Sequence, residues 1–176
     1  MSTIGIRLSA GIAAAALLAL AQKIPPELGK GWLPEFNVAA RQTVALAEAI
    51  PADKFSWRPG PGVRSVSEVY VHIATGNLFL LTQAGVKLPP EAAAKLQGNP
   101  EKSITAKADV IALLKMSQDV VRASYPTADR AKTVKLLGND TTADGVFLRI
   151  LVHDNEHMGQ SVAYARMIGV VPPWSQ

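Results

Sequence analysis

Cysteine is absent from all 176 residues of this chain, and its absence excludes several kinds of protein. The chain can form no disulfide framework, and it has no thiolate to ligate a metal, attack a substrate or carry a lipid. Aromatic residues make up only 6%, and Lys and Arg are not concentrated in any run despite a formal net charge of +4. Without a basic patch or stacking aromatics, we expect no binding of nucleic acid.

The most apolar segment lies at the N-terminus. Arg7 precedes a stretch over 8–21 that is nearly all Ala, Leu, Ile and Gly and ends on Ala19-Leu20-Ala21. A positive charge, an apolar run and a small-x-small end are typical of a secretory signal peptide. We therefore expect 1–21 to be cleaved and the mature protein to be periplasmic or secreted, without a stable membrane span. The alternative is an uncleaved anchor, although the run is shorter than the ~20 residues that a span needs.

The spacing of apolar residues predicts four helices. Over 22–31, Pro25, Pro26 and Gly29 favour an extended lead-in. Apolar residues then recur at three- and four-residue intervals over about 32–50, 65–84, 104–125 and 142–168. The third of these helices carries Ile104, Ala108, Ile111, Leu114 and Val121 on its expected apolar face.

Local signals support the helix ends. A capping box over 65–68 begins the second helix, and Gly85 and Gly169 lie where the second and fourth helices should end. A turn is expected at Gly138-Asn139-Asp140, and no alternation of period two persists, so no sheet is expected. Residues 32–176 should therefore form one all-α domain, a four-helix bundle with long connections.

The chain has three histidines, and their spacing suggests a metal site. His153 and His157 are four residues apart and share one helix face, while His72 lies on the second helix. Three imidazoles could hold one divalent ion, and Zn, Ni, Fe and Cu are all served by such ligands. The alternative is that each histidine is an ordinary core or surface residue. The expected inward faces are Val69, His72, Ile73, Gly76, Phe79 and Leu80 on the second helix, and Val146, Ile150, His153, His157, Ser161 and Tyr164 on the fourth.

Glu156 gives the segment 153–157 the pattern H-x-x-E-H, which also occurs in inverted zincin proteases. Those enzymes need a further ligand well downstream, whereas only 19 residues follow His157 and none is His, Asp or Glu. Protease activity is therefore not expected. Glu156 could still orient a ligand or a water molecule, or it could be a solvated helix charge.

Four other residues are candidates for a pocket near the histidines. Trp57 could line the pocket mouth or pin a loop to the core, and Arg58 could contact an anionic substrate or pair with an acidic neighbour. Gln160 and Tyr164 follow the histidines by about one and two turns. They could touch a ligand, although an inward Tyr is commonly packed with its hydroxyl satisfied.

Three segments together resemble the DinB superfamily of four-helix-bundle proteins: 57–59 (Trp-Arg-Pro), 65–72, which runs from the capping box into His72, and 152–160, which contains H-x-x-x-H. The resemblance extends from about residue 33 to 174. It implies that His72, His153 and His157 hold one divalent metal, commonly nickel or zinc, near the mouth of the bundle. Family members with assigned roles include thiol-dependent S-transferases and isomerases. An export signal makes that chemistry less expected, because reduced thiol cosubstrates are plentiful in the cytoplasm.

Three functional hypotheses remain open at this point. The first is an exported metal-dependent enzyme, of hydrolase or transferase type, acting on a small molecule. The second is a non-catalytic binding or structural bundle in which the metal clamps the second helix to the last. The third is a bundle without metal. A homodimer formed through helix faces is compatible with each of them.

Overall fold

A computed structural model of the protein describes residues 25–175. The expected signal peptide and residues 22–24 of the lead-in lie outside the described residues. Six α-helices and one β-hairpin make up the described part: α1 (Trp32–Ala49), α2 (Val66–Gln83), α3 (Pro90–Ala94), α4 (Pro100–Ser103), α5 (Lys107–Ser124), β1 (Thr133–Leu136), β2 (Asn139–Thr142) and α6 (Ala143–Met167). Short 3₁₀ turns occur at Ala52–Lys54 and Pro173–Ser175.

The four long helices form a bundle, which confirms the predicted all-α class. Helix α2 packs extensively on both α5 and α6, and α1 closes the bundle by packing on α6 and, less extensively, on α5. Helices α2 and α6 run antiparallel, since His72 contacts His157 while Gly76, one turn later, lies against His153. No helix within residues 25–175 is long and apolar enough to cross a membrane.

The predicted capping signals are present. At the start of α2, the Glu68 backbone N–H donates to the Ser65 hydroxyl, and the Ser65 N–H donates back to the Glu68 carboxylate. Two amides at the N-terminus of the helix are thereby satisfied. Gly85 and Gly169, with φ of 81° and 80°, turn the chain out of α2 and α6 in the left-handed conformation that glycine adopts without steric cost.

The core of the part of the chain that the structure describes consists of two apolar clusters. One contains Phe55, Tyr70, Leu114 and neighbouring side chains, and the other contains Phe36, Leu81, Phe147 and Ile150. In the second cluster, the Trp32 indole stacks on Phe36 with ring centroids 5.1 Å apart. Full burial of one such aliphatic or aromatic side chain contributes about 1.5–3 kcal/mol to folding, so these clusters hold the long helices in place.

The predicted absence of a sheet is wrong. Strands β1 and β2 pair antiparallel, with Leu136 opposite Asn139, so the turn is Leu137-Gly138 rather than 138–140. Both turn residues have positive φ, 50° and 89°, as a two-residue hairpin of type I′ requires. In strands of only four residues within a polar segment, an alternation of apolar and polar residues is too short to be recognised.

Three other expectations also fail in detail. The lead-in is not extended over 25–30, because the Leu28 N–H donates to the Pro25 carbonyl and Lys30 to Glu27, which makes consecutive turns. The connection 86–106 contains α3 and α4, and the extended backbone of Ile104 delays the start of α5 to Lys107. Phe79 is 41% exposed rather than inward.

The buried face of α5 differs from the expected one, which included Ile104, Ala108 and Ile111. The residues of α5 that are buried are Val110, Leu113, Leu114, Ser117, Gln118 and Val121.

Candidate metal centre

The structure brings the three histidines together at the seam between α2 and α6. The ring centroids of His153 and His157 are 4.6 Å apart, and His72 lies 4.7 Å from His157 and 5.0 Å from His153. One nitrogen from each ring can be chosen so that all three nitrogens lie within 4.8 Å of one another. Such a group could hold a metal ion.

His72 is oriented by a carboxylate that comes from outside the bundle helices. Its Nδ1 lies 2.9 Å from Oε1 of Glu101, on α4. Arg64 donates to the same carboxylate through Nε, at 2.8 Å, and through a terminal nitrogen, at 3.2 Å. Burial alone would raise the pKa of Glu101, but the hydrogen bonds from Arg64 and then His72 lower it below its ordinary value. Glu101 is therefore ionised at neutral pH and can only accept hydrogen bonds.

His157 is oriented from within its own helix. Its Nδ1 lies 2.9 Å from Oε1 of Gln160, whose Nε2 donates to the Tyr164 hydroxyl at 2.9 Å. In this arrangement the oxygen end of the Gln160 amide faces the histidine. Trp57 packs against Tyr164 edge to face, with centroids 5.5 Å apart. The predicted pocket residues Trp57, Gln160 and Tyr164 thus form one contact chain that leads to His157.

His153 lies deepest of the three, with 9% of its surface exposed. Its Nε2 is 3.2 Å from Nε2 of His72. Its Nδ1 is buried and has no hydrogen-bond partner within residues 25–175. The ring lies directly against Gly76, where an added Cβ would stand 2.4 Å from Cε1. Only glycine at residue 76 leaves enough space for the His153 ring in this position.

These hydrogen bonds indicate which nitrogens are free to bind a cation. Since Glu101 and the Oε1 of Gln160 accept hydrogen bonds, the neutral rings of His72 and His157 carry their proton on Nδ1 and present a bare Nε2. The 3.2 Å between Nε2 of His72 and Nε2 of His153 is close to the spacing of about 3.3 Å expected for two nitrogens on one tetrahedral zinc. The donor set fits a divalent cation.

The electrostatic environment keeps two of the rings neutral. Burial, followed by the nearby Arg64 charge, lowers the pKa of His72 despite the opposing effect of Glu101. Burial, followed by the charges of His157 and His72, lowers the pKa of His153 to about 4. Neutral imidazole is the form that ligates metals, so both rings can bind a cation at neutral pH without first losing a proton.

Two predicted site residues lie apart from this network. Glu156 is exposed and forms an ion pair with Arg149, with no hydrogen bond to a histidine among the described residues. Arg58 donates to the Val63 carbonyl at 2.8 Å and to Glu68 at 3.2 Å. Glu156 is therefore a solvated helix charge, and Arg58 pairs with an acidic neighbour. These were the alternative interpretations of the two residues.

Asp154, the neighbour of His153, does not add a carboxylate ligand. It is fully buried together with Asn77 of α2, and no hydrogen bond of ordinary geometry reaches either side chain from the described residues. Burial raises the pKa of Asp154 to about 8, and the nearby Asn77 amide only partly offsets this rise. The carboxyl group is therefore mostly uncharged at neutral pH.

The site lies outside two grooves along α5. A groove of 420 Å³ is lined by residues including Glu91, Ile104 and Met116, and a second, of 680 Å³, continues past Met116 to Thr127. Neither groove includes a histidine. The three histidines therefore lie at the seam of α2 and α6 rather than in these grooves.

Sequence reasoning did not identify Glu101 and Arg64. Glu101 lies 29 residues after His72 in a connection that contains three prolines, where no periodic pattern marks it. Gly76 carries a weak signal, since a glycine stands one turn after His72 on the expected inward face. Its contact with His153 requires the packed structure.

The fold is similar to two solved structures. A DinB-like protein from Bacillus cereus ATCC 10987 is 18% identical, with a TM-score of 0.70, and the match covers 82% of this chain and 95% of that one. A DinB-like protein from Bacillus subtilis is 19% identical, with a TM-score of 0.61, covering 82% and 97%. At these identities the likeness shows the fold alone. No curated protein sequence matches the chain.

The family model of the DinB superfamily matches residues 35–161, which is well over half of the chain. The match contains His72, His153 and His157, the residues that the structure brings together. The chain belongs to the DinB superfamily.

Proposed function

We propose that this protein is an exported metal-dependent enzyme of the hydrolase or transferase type that binds one divalent cation through His72, His153 and His157 and acts on a small molecule. One observation carries the proposal: three imidazoles from two helices present nitrogens within 4.8 Å of one another. No carboxylate of the described residues joins that group. Three protein ligands leave room for a substrate, as in catalytic rather than structural zinc sites.

A bound divalent cation would supply Lewis acidity, polarising a carbonyl or phosphoryl group of the substrate. The chain's own residues have distinct parts in holding it. His153 is fixed by packing against Gly76, and His157 is fixed by Gln160. Tyr164 accepts a hydrogen bond from the other end of the Gln160 amide, and Trp57 packs against Tyr164.

Zinc and nickel are the first candidates for the cation, and iron and copper accept the same ligands. The test is elemental analysis of protein purified without added metal, comparing the wild type with His153→Ala. Asn155→Ala is the matched control, because Asn155 lies on the same helix and, among residues 25–175, its exposed side chain donates to the Leu151 carbonyl alone. We expect about one ion per chain in the wild type and the control, and most of it lost in His153→Ala. Equal metal in all three proteins would contradict the proposal.

A non-catalytic clamp is the second candidate, because the ligands join two helices that are distant in sequence. The free energy of metal binding would then be free energy of folding. Cobalt-substituted protein separates the two candidates. An absorption spectrum that changes on adding azide shows an exchangeable ligand position and favours the enzyme. An unchanged spectrum, together with a large fall in melting temperature on metal removal, favours the clamp.

Export rests on the composition of residues 1–21 alone. Expression in a Gram-negative host followed by fractionation and N-terminal sequencing tests it. We expect mature protein outside the cytoplasm that begins at Gln22. Recovery of the uncleaved chain in the membrane fraction would favour an N-terminal anchor, and uncleaved chain in the cytoplasm would contradict export. A homodimer stays a prediction that sedimentation of the same sample can check.

A further inference from the structure

Glu101 contacts the ring nitrogen of His72 that faces away from the other histidines. Helix α4, which carries Glu101, is only four residues long and lies in the connection between α2 and α5. From there Glu101 reaches Nδ1 of His72 at 2.9 Å, on the opposite side of the ring from the nitrogen that faces His153. The Glu101 side chain is 23% exposed, so the contact is partly shielded from water.

Arg64 holds the carboxylate in place. Its Nε and one terminal nitrogen donate to the two different oxygens of Glu101. Such a two-pronged contact restricts rotation of the carboxylate and keeps it charged, because the guanidinium is always protonated. Oε1 therefore faces His72 as an acceptor only, and the ring must turn an N–H toward it.

Without this acceptor, neutral imidazole could carry its proton on either nitrogen. A proton on Nε2 would point toward the other histidines and occupy the lone pair that a cation needs. Carboxylates that accept from the distal N–H of metal-binding histidines fix both the tautomer and the ring angle and increase the basicity of the ligand. The Arg64–Glu101 pair has the geometry of this arrangement.

We propose that Glu101, held by Arg64, is a positioning residue that fixes His72 in the Nδ1–H tautomer and so supplies its Nε2 to the cation. The part of this proposal that concerns the cation rests on the proposed function. The tautomer of His72 does not, because it follows from hydrogen bonds present in the chain itself. Two experiments address these parts separately.

The first experiment uses protein without metal. Nitrogen NMR of the imidazoles at about pH 8, above the ordinary pKa of histidine, reports which nitrogen carries the proton. We expect the Nδ1–H pattern for His72 in the wild type and a mixture of tautomers in Glu101→Ala. An Nε2–H pattern for His72 in the wild type overturns the proposal, and so does a Glu101→Ala spectrum identical to that of the wild type.

The second experiment measures Zn²⁺ affinity by competition with a chelator. Lys102→Ala is the matched control, because Lys102 is the next residue of α4 and pairs with Glu68 rather than with a histidine. We expect a loss of roughly 10- to 100-fold in Glu101→Ala and little change in Lys102→Ala. Glu101→Gln, which keeps an acceptor oxygen but loses the charge, should fall between them and serves if Glu101→Ala does not fold.

The outcomes distinguish this proposal from the proposed function. If the wild type binds no metal but shows the Nδ1–H tautomer, the metal function fails while the positioning of His72 stands. If the wild type binds Zn²⁺ and both Glu101 variants bind it equally well, Glu101 has no positioning role. An equal loss in Lys102→Ala and Glu101→Ala would mean that docking of α4 matters rather than the carboxylate, and would also overturn the proposal.

Discussion

Gly76 and His153 are in direct contact, so that a Cβ on residue 76 would stand 2.4 Å from Cε1 of the imidazole. The contact joins α2 to α6 at the point where the histidines meet. Helix interiors disfavour glycine by about 1 kcal/mol relative to alanine. The place of Gly76 inside α2 is explained by the ring that occupies the space where its side chain would be.

Gly76→Ala should displace His153 and weaken Zn²⁺ binding by at least about tenfold, because the ring can no longer lie beside His72. The overpacked seam should also cost about 1–3 kcal/mol of unfolding free energy, less the gain in helix propensity. Zinc competition and urea denaturation measure the two effects. Gly159→Ala is the control, since nothing lies within 4 Å of a Cβ there. Equal zinc affinity in Gly76→Ala and the wild type would show that His153 binds no metal in this position.

Tyr164 should affect metal binding without touching a histidine. Its hydroxyl accepts from Nε2 of Gln160, whose Oε1 faces His157. We expect Gln160→Ala to lower Zn²⁺ affinity by about tenfold, because it removes the contact to His157. Tyr164→Phe frees the Gln160 amide to rotate but leaves it in place, so it should lower the affinity less. Competition titrations of both variants provide the measurement. A larger loss in Tyr164→Phe than in Gln160→Ala would contradict a role of the hydroxyl through Gln160, since phenylalanine keeps the ring that packs against Trp57.

The convergence of the histidines could be predicted because it depends on helical periodicity. His153 and His157 share a face by their spacing of four, and His72 falls on the inward side of an amphipathic pattern. The family resemblance adds the pairing of the second helix with the last. Side chains that a regular repeat places on one face are therefore accessible to sequence reasoning.

The carboxylate behind His72 could not be predicted in this way. Glu101 belongs to a four-residue helix whose position depends on how 86–106 folds against α2, and no repeat in that segment specifies it. The hairpin was missed for a related reason, since its strands have four residues each and its turn begins with leucine rather than the usual Asn or Gly. Short elements are determined by tertiary contacts more than by local pattern.

Leu137 should be a site of backbone strain. It has a φ of 50° in the hairpin turn and is 74% exposed, so it gains little from burial. Left-handed backbone costs most residues about 1–2 kcal/mol and costs Asn less. We expect Leu137→Asn to stabilise the protein by about 0.5–1 kcal/mol, as read from thermal melts. Leu137→Ala is the control, because it removes the same exposed side chain without favouring positive φ, and it should have little effect on stability. If both variants stabilised the protein equally, the gain would come from the loss of exposed apolar surface and not from relief of backbone strain.

Glu68 should make the fold sensitive to acid. Burial alone would raise its pKa, but Lys102, the Ser65 amide and Arg58 outweigh burial and lower the pKa from 4.5 to about 2. Because the pKa is depressed in the folded state, the stabilisation is complete above the unfolded value of 4.5 and is lost as the pH falls toward 2. A shift of this size corresponds to about 3 kcal/mol, which we reduce to about 1–2 kcal/mol because the Lys102 and Arg58 side chains are largely exposed to solvent.

Glu68→Gln isolates that charge, since glutamine keeps the capping box of α2. Denaturation curves between about pH 2 and 7 should show the variant less stable than the wild type by about 1–2 kcal/mol at neutral pH and equally stable near pH 2. Glu91→Gln removes the same charge from an exposed position on α3 and should leave the pH dependence of the wild type unchanged. A constant difference between Glu68→Gln and the wild type across this range would mean that the glutamate stabilises α2 through its shape and hydrogen bonds, not through its ionisation.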